Sequence, residues 1–151
     1  MNSGLDQAGL PASISNRKLA DMARRSSTEP EAAAALKEVL RRESPSGRKL
    51  IDEVLVDPAA SLEIRTTAAR ALGQQVSPRA ETTLVAALDA KEPAVQARAA
   101  ESLGRIGGRE AFDALAAVPV TTGTAHQRSI KFACSLIAYR LGLDDARLRR
   151  P

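Results

Sequence analysis

The sequence has few of the residues on which catalytic and metal sites depend. It contains one cysteine, one histidine and no tryptophan in 151 residues. Because Cys134 is alone, an internal disulfide and a metal site with several cysteines are excluded. No run of about 18 apolar residues exists, and the first residues lack the basic and apolar regions of a signal peptide. We therefore expect no membrane span and a cytoplasmic location.

Aromatic residues are nearly absent as well. They make up 2% of the chain, as one tyrosine and two phenylalanines, whereas hydrophobic residues in total make up 44%. The core must then consist mainly of Ala, Leu, Val and Ile. Ala and Leu are the strongest helix formers, while strands prefer aromatic and β-branched residues. The composition predicts an all-α protein of a size typical of one domain.

The positive charge is unevenly distributed. The net charge of +4 divides into 9 − 6 = +3 for residues 1–50, 7 − 10 = −3 for residues 51–118 and 6 − 2 = +4 for residues 119–151. Two basic ends therefore flank an acidic middle, and phosphate binding by the ends is an alternative that has to be weighed.

Internal repetition is the strongest signal. The segment IRTTAARALG, residues 64–73, aligns without gaps on VQARAAESLG, residues 95–104, with a period of 104 − 73 = 31. In each segment apolar residues recur at i, i+4 and i+8, which places them on one face of a helix. A second apolar segment follows each, PRAETTLVAALD from Pro78 and REAFDALAAV from Arg109. The sequence thus predicts a repeated hairpin with a first and a second helix.

Glycines and prolines separate these helices. We expect Gly73 and Gly104 to adopt the left-handed conformation that commonly ends a helix. Proline is tolerated in the first turn of a helix, where no backbone donor is needed, and this favours helix starts at Pro58, Pro78 and Pro93.

The repeat pattern continues outward in both directions. Residues 31–42 and 48–56 form an upstream pair separated by the turn Ser44 to Gly47, and single helices are predicted over residues 16–25 and 125–141. We interpret the two single helices as end caps of one domain spanning residues 13–143. Residues 1–12 and the basic tail, residues 144–151, are expected to be mobile.

These motifs resemble the HEAT repeats, in particular the short bacterial type known from phycobilisome lyases. The resemblance lies in the pattern IRxxAAxALG ending at Gly73 and in VxxRAAxSLGRIG ending at Gly107. It implies a short right-handed α-solenoid of about three stacked helical hairpins. Because repeats of this kind serve unrelated systems, the resemblance does not identify a particular function.

No arrangement of residues indicates catalysis. His126 precedes a predicted helix and is interpreted as solvated or capping, and Cys134 as a core residue. Asp57 and Asp89, near helix ends, are expected to accept hydrogen bonds from turn or helix-start amides. The sequence therefore predicts no catalytic residue, no metal ligand and no cofactor.

The preferred hypothesis is a non-catalytic adaptor or regulatory scaffold that binds a partner protein with its second helices, on the concave face of the solenoid. The residues expected to contact the partner carry mixed charge, which favours a protein surface over a polyanion. They are Arg48, Asp52, Arg79, Glu81, Arg109 and Asp113.

Three alternatives remain open. The first is a nucleic-acid binding surface formed by the basic ends, with Arg41, Arg42, Arg48 and Lys49 at one end and Arg140, Arg147, Arg149 and Arg150 at the other. The resemblance also allows a subunit of a HEAT-like lyase or chaperone. A homodimer formed through an incompletely capped end is the third.

Overall fold

The structure is a computed structural model that describes residues 14–25, 29–119 and 124–143. Within these ranges it consists of eight α-helices and contains no β-strand, which confirms the predicted all-α class. The expected mobile ends, residues 1–12 and 144–151, lie outside the described residues. The helices are α1 (Asn16–Arg25), α2 (Glu29–Arg41), α3 (Pro45–Val56), α4 (Leu62–Leu72), α5 (Pro78–Ala87), α6 (Pro93–Ile106), α7 (Arg109–Ala117) and α8 (Ala125–Leu141).

The chain separates into two compact units, Met1–Ala71 and Leu72–Pro151. In the first unit α1 packs on α2 and α3, and α2 packs on α3. In the second unit α5 packs on α6 and α7, while α8 packs on α6 and α7. Contacts between helices two apart, such as α5 with α7 and α6 with α8, are those expected when a two-helix repeat stacks on its neighbour. The assignment of residues 13–143 to a single domain stays a prediction.

Serine and proline together start two of the second helices. Ser44 accepts a hydrogen bond from the Gly47 amide at 3.0 Å and caps α3, and Ser77 accepts one from the Ala80 amide at 3.1 Å and caps α5. In each case the next residue is a proline at the first helical position. Since a serine side chain satisfies an amide that the helix leaves free, α3 begins at Pro45, earlier than the predicted start at Arg48.

Of the three prolines predicted to start helices, two do so. Pro78 and Pro93 begin α5 and α6, but Pro58 lies in a turn and α4 begins at Leu62. Asp57 explains this difference, because its carboxylate accepts a hydrogen bond from the Ala59 amide at 2.9 Å and closes the turn. The expectation that Asp57 serves a turn is thus confirmed, while the helix start at Pro58 was wrong.

The expectation that Gly73 and Gly104 are left-handed was also wrong. Among the described glycines only Gly142, which ends α8, has a positive φ, at 64°. A Cβ on Gly73 would lie 2.6 Å from the Cβ of Ser102 in α6, and a Cβ on Gly104 would lie 3.2 Å from the Cβ of Ala133 in α8. The two glycines therefore allow close approach between elements that lie about one repeat apart in sequence.

The core is built from the small and aliphatic residues that the composition predicts. Fully buried side chains include Ile51, Ala68, Leu84, Leu103 and Ile137. Cys134 is also buried, as expected of a cysteine that acts as a small apolar residue.

A polar side chain recurs at the period of the repeat, buried at Arg65 and Gln127 and half-buried at Gln96. Arg65 of α4 is buried and its Nε donates to the Leu55 carbonyl at the end of α3, at 3.0 Å. Gln96, at the equivalent position one repeat later in α6, donates to the Ala90 carbonyl at 2.7 Å. Gln127, at the same position of the following repeat in α8, is buried too. Each of the first two side chains satisfies a carbonyl that the preceding segment leaves without an intrahelical partner.

Candidate functional site

Two of the predicted partner-binding residues lie on α3 in the first unit. Arg48 is exposed and its guanidinium donates to the Glu43 carbonyl at 3.2 Å. Asp52 lies one turn further along the same helix and is half-buried. This spacing brings the two side chains to one side of α3.

The other four predicted residues lie on α5 and α7 in the second unit. Arg79 is exposed in the first turn of α5. Arg109 and Asp113, one turn apart on α7, are both exposed and their side chains are 3.3 Å apart. Because α5 packs on α7, the structure brings these three charged side chains onto two neighbouring helices.

Glu81 differs from the other five because its carboxylate is bound within the fold. Oε1 of Glu81 accepts hydrogen bonds from the Gly108 amide at 2.9 Å and from the Ala111 amide at 3.2 Å. These amides belong to the start of α7, whose own capping residue, Gly108, has no side chain to offer. Glu81 thus caps α7 from the neighbouring helix, and its negative charge also suits the positive end of the α7 dipole.

The one histidine and the one cysteine of the sequence both lie on α8. His126 is half-buried in the first turn of α8, and Cys134, further along the same helix, is buried. In the described part of the chain no group of three or more His, Cys, Asp or Glu side chains is arranged to hold a metal ion. No described helix is both long and apolar enough to cross a membrane.

Arg41 and Arg42 of the basic cluster form ion pairs with one buried carboxylate. Arg41 donates to the carboxylate of Glu38 through Nε and Nη2, both at 2.8 Å, and Arg42 donates through Nε at 2.6 Å. Glu38 is buried, with 1% of its surface exposed. The hydrogen bonds from Arg41 lower the pKa of Glu38 from 4.5 to about 2, against the opposing effect of burial.

Arg48, Lys49 and Arg140, the other described residues of the two clusters considered for nucleic-acid binding, also have partners. Lys49 lies 3.9 Å from the carboxylate of Glu53. Arg140 of α8 donates to the carbonyls of Gly104 and Arg105, at 3.0 and 3.2 Å, and to that of Gly107. The tail arginines lie outside the described residues. These internal contacts reduce the number of cations that the described part of the ends can offer to a phosphate backbone.

The outer face of α8 was not predicted from the sequence. Two large aromatic side chains are exposed there two turns apart, Phe132 by 64% and Tyr139 by 90%, and Leu136, exposed by 37%, lies at the edge against Gly104 of α6. Two of the three aromatic residues in the whole chain are therefore exposed on one side of one helix. We define the outer face of α8 as Arg128, Lys131, Phe132, Ser135, Leu136 and Tyr139, all of them exposed.

Contacts between α8 and α6 fix this orientation. Arg140 holds the end of α8 on the carbonyls that terminate α6, and Ser129 donates to Glu101 of α6 at 3.3 Å. Ala133 lies against Gly104. The outer face was detectable in principle, because the repeat period aligns His126-Gln127 with Val95-Gln96, and thereby places Phe132 and Ser135 at the positions of Glu101 and Gly104.

Comparison with known families identifies the repeated segment. Residues 48–121 match the family model described as HEAT repeats. This match supports the predicted resemblance to the HEAT-repeat superfamily. It covers just under half of the 151 residues and runs from α3 to beyond the end of α7, so it includes the helices α4, α5, α6 and α7. No curated protein matches the chain. Together with the helices described above, the HEAT-repeat match confirms the predicted fold class, an all-α solenoid of short helical hairpins.

Proposed function

We propose that this chain is a non-catalytic protein-interaction module, an adaptor or regulatory scaffold that binds a partner protein through its second helices. HEAT repeats commonly act as protein-interaction scaffolds. The observation that carries the proposal is the exposed mixed charge on the packed helices α5 and α7, formed by Arg79, Arg109 and Asp113.

The mixture of charges favours a protein partner over a polyanion. Arg109 and Asp113 form an exposed pair of opposite sign, and arginine is enriched in protein interfaces. On α3, Arg48 and Asp52 repeat the same order of charges with the same spacing. We propose each pair as a contact for the partner, one in each unit. Glu81 belongs to the proposed surface only as the residue that fixes the start of α7 beside α5.

Other features of the preferred hypothesis stay predictions. They are the cytoplasmic location, the relationship to the bacterial phycobilisome-lyase type and the concave arrangement of the surface. A HEAT-like lyase or chaperone subunit is the alternative that the resemblance leaves open, and no specific observation in the structure favours it.

The experiment is an affinity pull-down from lysate of the native host, at low and at high salt, with the double variant Arg79→Glu, Arg109→Glu. We expect a defined protein to be retained at high salt by the wild type and lost by this variant. The matched control is Arg70→Glu, Arg105→Glu, which reverses two exposed arginines on the first helices α4 and α6.

Thermal unfolding followed by circular dichroism has to show that both double variants stay folded. The Arg109→Glu change places two acids one turn apart, which costs only about a few tenths of a kcal/mol. If partners are retained equally by all three proteins, the proposed surface is wrong. If nucleic acid alone is recovered, and only at low salt, the adaptor proposal fails in favour of the basic ends.

A further inference from the structure

The outer face of α8 occupies a position that is covered elsewhere in the same chain. Two first helices, α6 and α8, are related by the repeat period, which aligns Ala100, Glu101 and Gly104 with Lys131, Phe132 and Ser135. On α6, Ala100 and Gly104 are buried, and Gly104 lies against Ala133 of α8. On α8 the aligned residues are exposed. α8 covers this part of α6, but among the described residues no helix covers the equivalent part of α8.

The residues at these positions are not those of a polar end cap. A terminal repeat that faces only water is expected to have a polar outer surface. Here Phe132 and Tyr139 expose large apolar side chains instead, two turns apart on one side of the helix, with Leu136 at the edge, where it also lies against Gly104 of α6. Helix-in-groove recognition uses stripes with this spacing, in which one amphipathic helix lays its apolar side on another.

The charges beside the stripe indicate what kind of helix fits. Arg128 and Lys131 are exposed next to it, and α8 contains no acidic residue. Among the contacts described above, Glu101 of α6 supplies the carboxylate nearest to this helix. That carboxylate is already paired with Arg98 at 2.7 Å and accepts a hydrogen bond from Ser129. A ligand with acidic residues beside its apolar stripe would be complementary, whereas a basic one would meet charges of the same sign.

We propose that the outer face of α8 is a docking site for an acidic amphipathic helix of a partner protein, which would stack on α8 as α8 stacks on α6. This site is separate from the surface proposed on α5 and α7. A second copy of α8 is a poorer ligand, since it would bring its own cations against Arg128 and Lys131. An anionic membrane would meet the same cations, and the vesicle experiment below distinguishes it from a helix.

The test uses the full chain and two fluorescein-labelled synthetic peptides of the same length as α8. Both carry leucines at i, i+3, i+4 and i+7, one with glutamates and one with lysines beside the stripe. We expect the acidic peptide to bind at least about tenfold more tightly in fluorescence anisotropy, since tenfold corresponds to a modest difference in interaction free energy.

Variants of α8 test whether the acidic peptide binds to the outer face of α8. The double variant Phe132→Ser, Tyr139→Ser should weaken binding of the acidic peptide about tenfold or more, because it removes the exposed aromatic area. The matched control is Val56→Ser, Val76→Ser, at two other exposed apolar residues, and should bind as the wild type does. Arg128→Glu, Lys131→Glu should reverse the preference in favour of the basic peptide.

Several outcomes would overturn the proposal. Equal binding of both peptides, or binding that is unaffected by the variants of α8, would mean that no specific site for an acidic helix exists there. Sedimentation showing a dimer that Phe132→Ser, Tyr139→Ser dissociates would identify a second copy as the occupant. Binding to vesicles containing phosphatidylglycerol, lost in the same variant and without peptide binding, would identify a membrane surface.

The two proposals fail independently. The variant Arg79→Glu, Arg109→Glu, which tests the adaptor surface, should leave peptide binding at α8 unchanged. All the substitutions on α8 are at exposed positions, so unchanged thermal unfolding of the variants is expected and shows that any loss of binding is local.

Discussion

At the scale of single residues, small side chains decide how closely elements one repeat apart can pack. Gly73 lies directly after α4 and Ser102 lies in α6, and their backbones approach until a Cβ on Gly73 would be 3.0 Å from the Cα of Ser102. Gly104 and Ala133 repeat this relation between α6 and α8 with the same separation in sequence. The glycine therefore recurs where two backbone segments approach closely.

We expect Gly73→Ala to destabilise the protein by about 1–3 kcal/mol, the usual cost of an added methyl group in a packed contact. Its Cβ would lie 2.5 Å from Oγ of Ser102 and 2.6 Å from Cβ of the same residue. Urea unfolding of Gly73→Ala, Ser102→Gly and the double variant measures the coupling between the two positions. Removing the serine side chain should recover part of the loss, and strictly additive effects would show that this contact is not the cause.

Glu38 makes the stability of the first unit depend on pH. Its pKa is lowered from 4.5 to about 2 in the folded chain, mainly by the hydrogen bonds from Arg41. A carboxyl group with a lowered pKa stabilises the fold fully above its unfolded value and loses this contribution as the pH falls toward the folded value. Since one pKa unit corresponds to about 1.4 kcal/mol, the contribution at neutral pH is about 3 kcal/mol.

We predict that Glu38→Gln lowers the free energy of unfolding by about this amount at neutral pH, and that the difference from wild type shrinks as the pH falls from about 4.5 to about 2. Urea unfolding across this pH range measures the effect. Glu43→Gln, at an exposed acid in the turn after α2, is the control and should follow the wild type. A difference that is constant with pH would contradict the role of the Glu38 charge.

At the scale of helices, termini are completed by side chains from other elements. Glu81 of α5 caps the start of α7, and Arg140 of α8 binds the carbonyls at the end of α6. Both contacts join residues about one repeat apart, and both place a charge where the helix dipole favours it. Helix ends are thereby coupled to the stacking of the hairpins.

We expect Glu81→Ala to destabilise the protein by about 1–3 kcal/mol, because it leaves the amides of Gly108 and Ala111 without their acceptor. Glu81→Gln retains an oxygen at the same place and should recover most of the loss. Urea unfolding gives the free energies, and hydrogen exchange of the two amides locates the effect. The exposed acid Glu110, in the first turn of α7, provides the control Glu110→Ala. If Glu81→Ala costs no more than this control, Glu81 does not cap α7.

At the scale of the whole molecule, the order and type of the helices were predictable because they depend on local pattern. The positions of α1 and α8 agree with the approximate bounds predicted for them, at Asn16–Arg25 and Ala125–Leu141. Contacts between residues about one repeat apart could not be predicted from the local sequence pattern. The role of Glu81 as a cap follows only once α5 lies beside α7, and that of Gly104 in close packing only once α6 lies beside α8.

The candidate site was likewise predictable only in part. Charge and spacing alone selected six residues, and they could not separate Glu81, which is bound within the fold, from Arg109 and Asp113, which are exposed. The outer face of α8 was overlooked because α8 was interpreted as an end cap, and exposure is not visible in sequence. Its alignment with α6 at the repeat period was the signal that could have revealed it.

The nucleic-acid alternative can be tested on the whole chain. Arg41 and Arg42 bind Glu38, and Arg140 binds the end of α6, so three cations of the basic ends are already engaged. Releasing Arg41 and Arg42 would leave a buried carboxylate without partners, which is strongly unfavourable. We therefore expect duplex DNA to bind weakly, with few phosphates contacted and a shallow decrease of log K with log salt, measured by fluorescence anisotropy. Tight binding near physiological salt with a slope steeper than about −5, as for a protein that contacts about six or more phosphates, would contradict the protein-binding proposal.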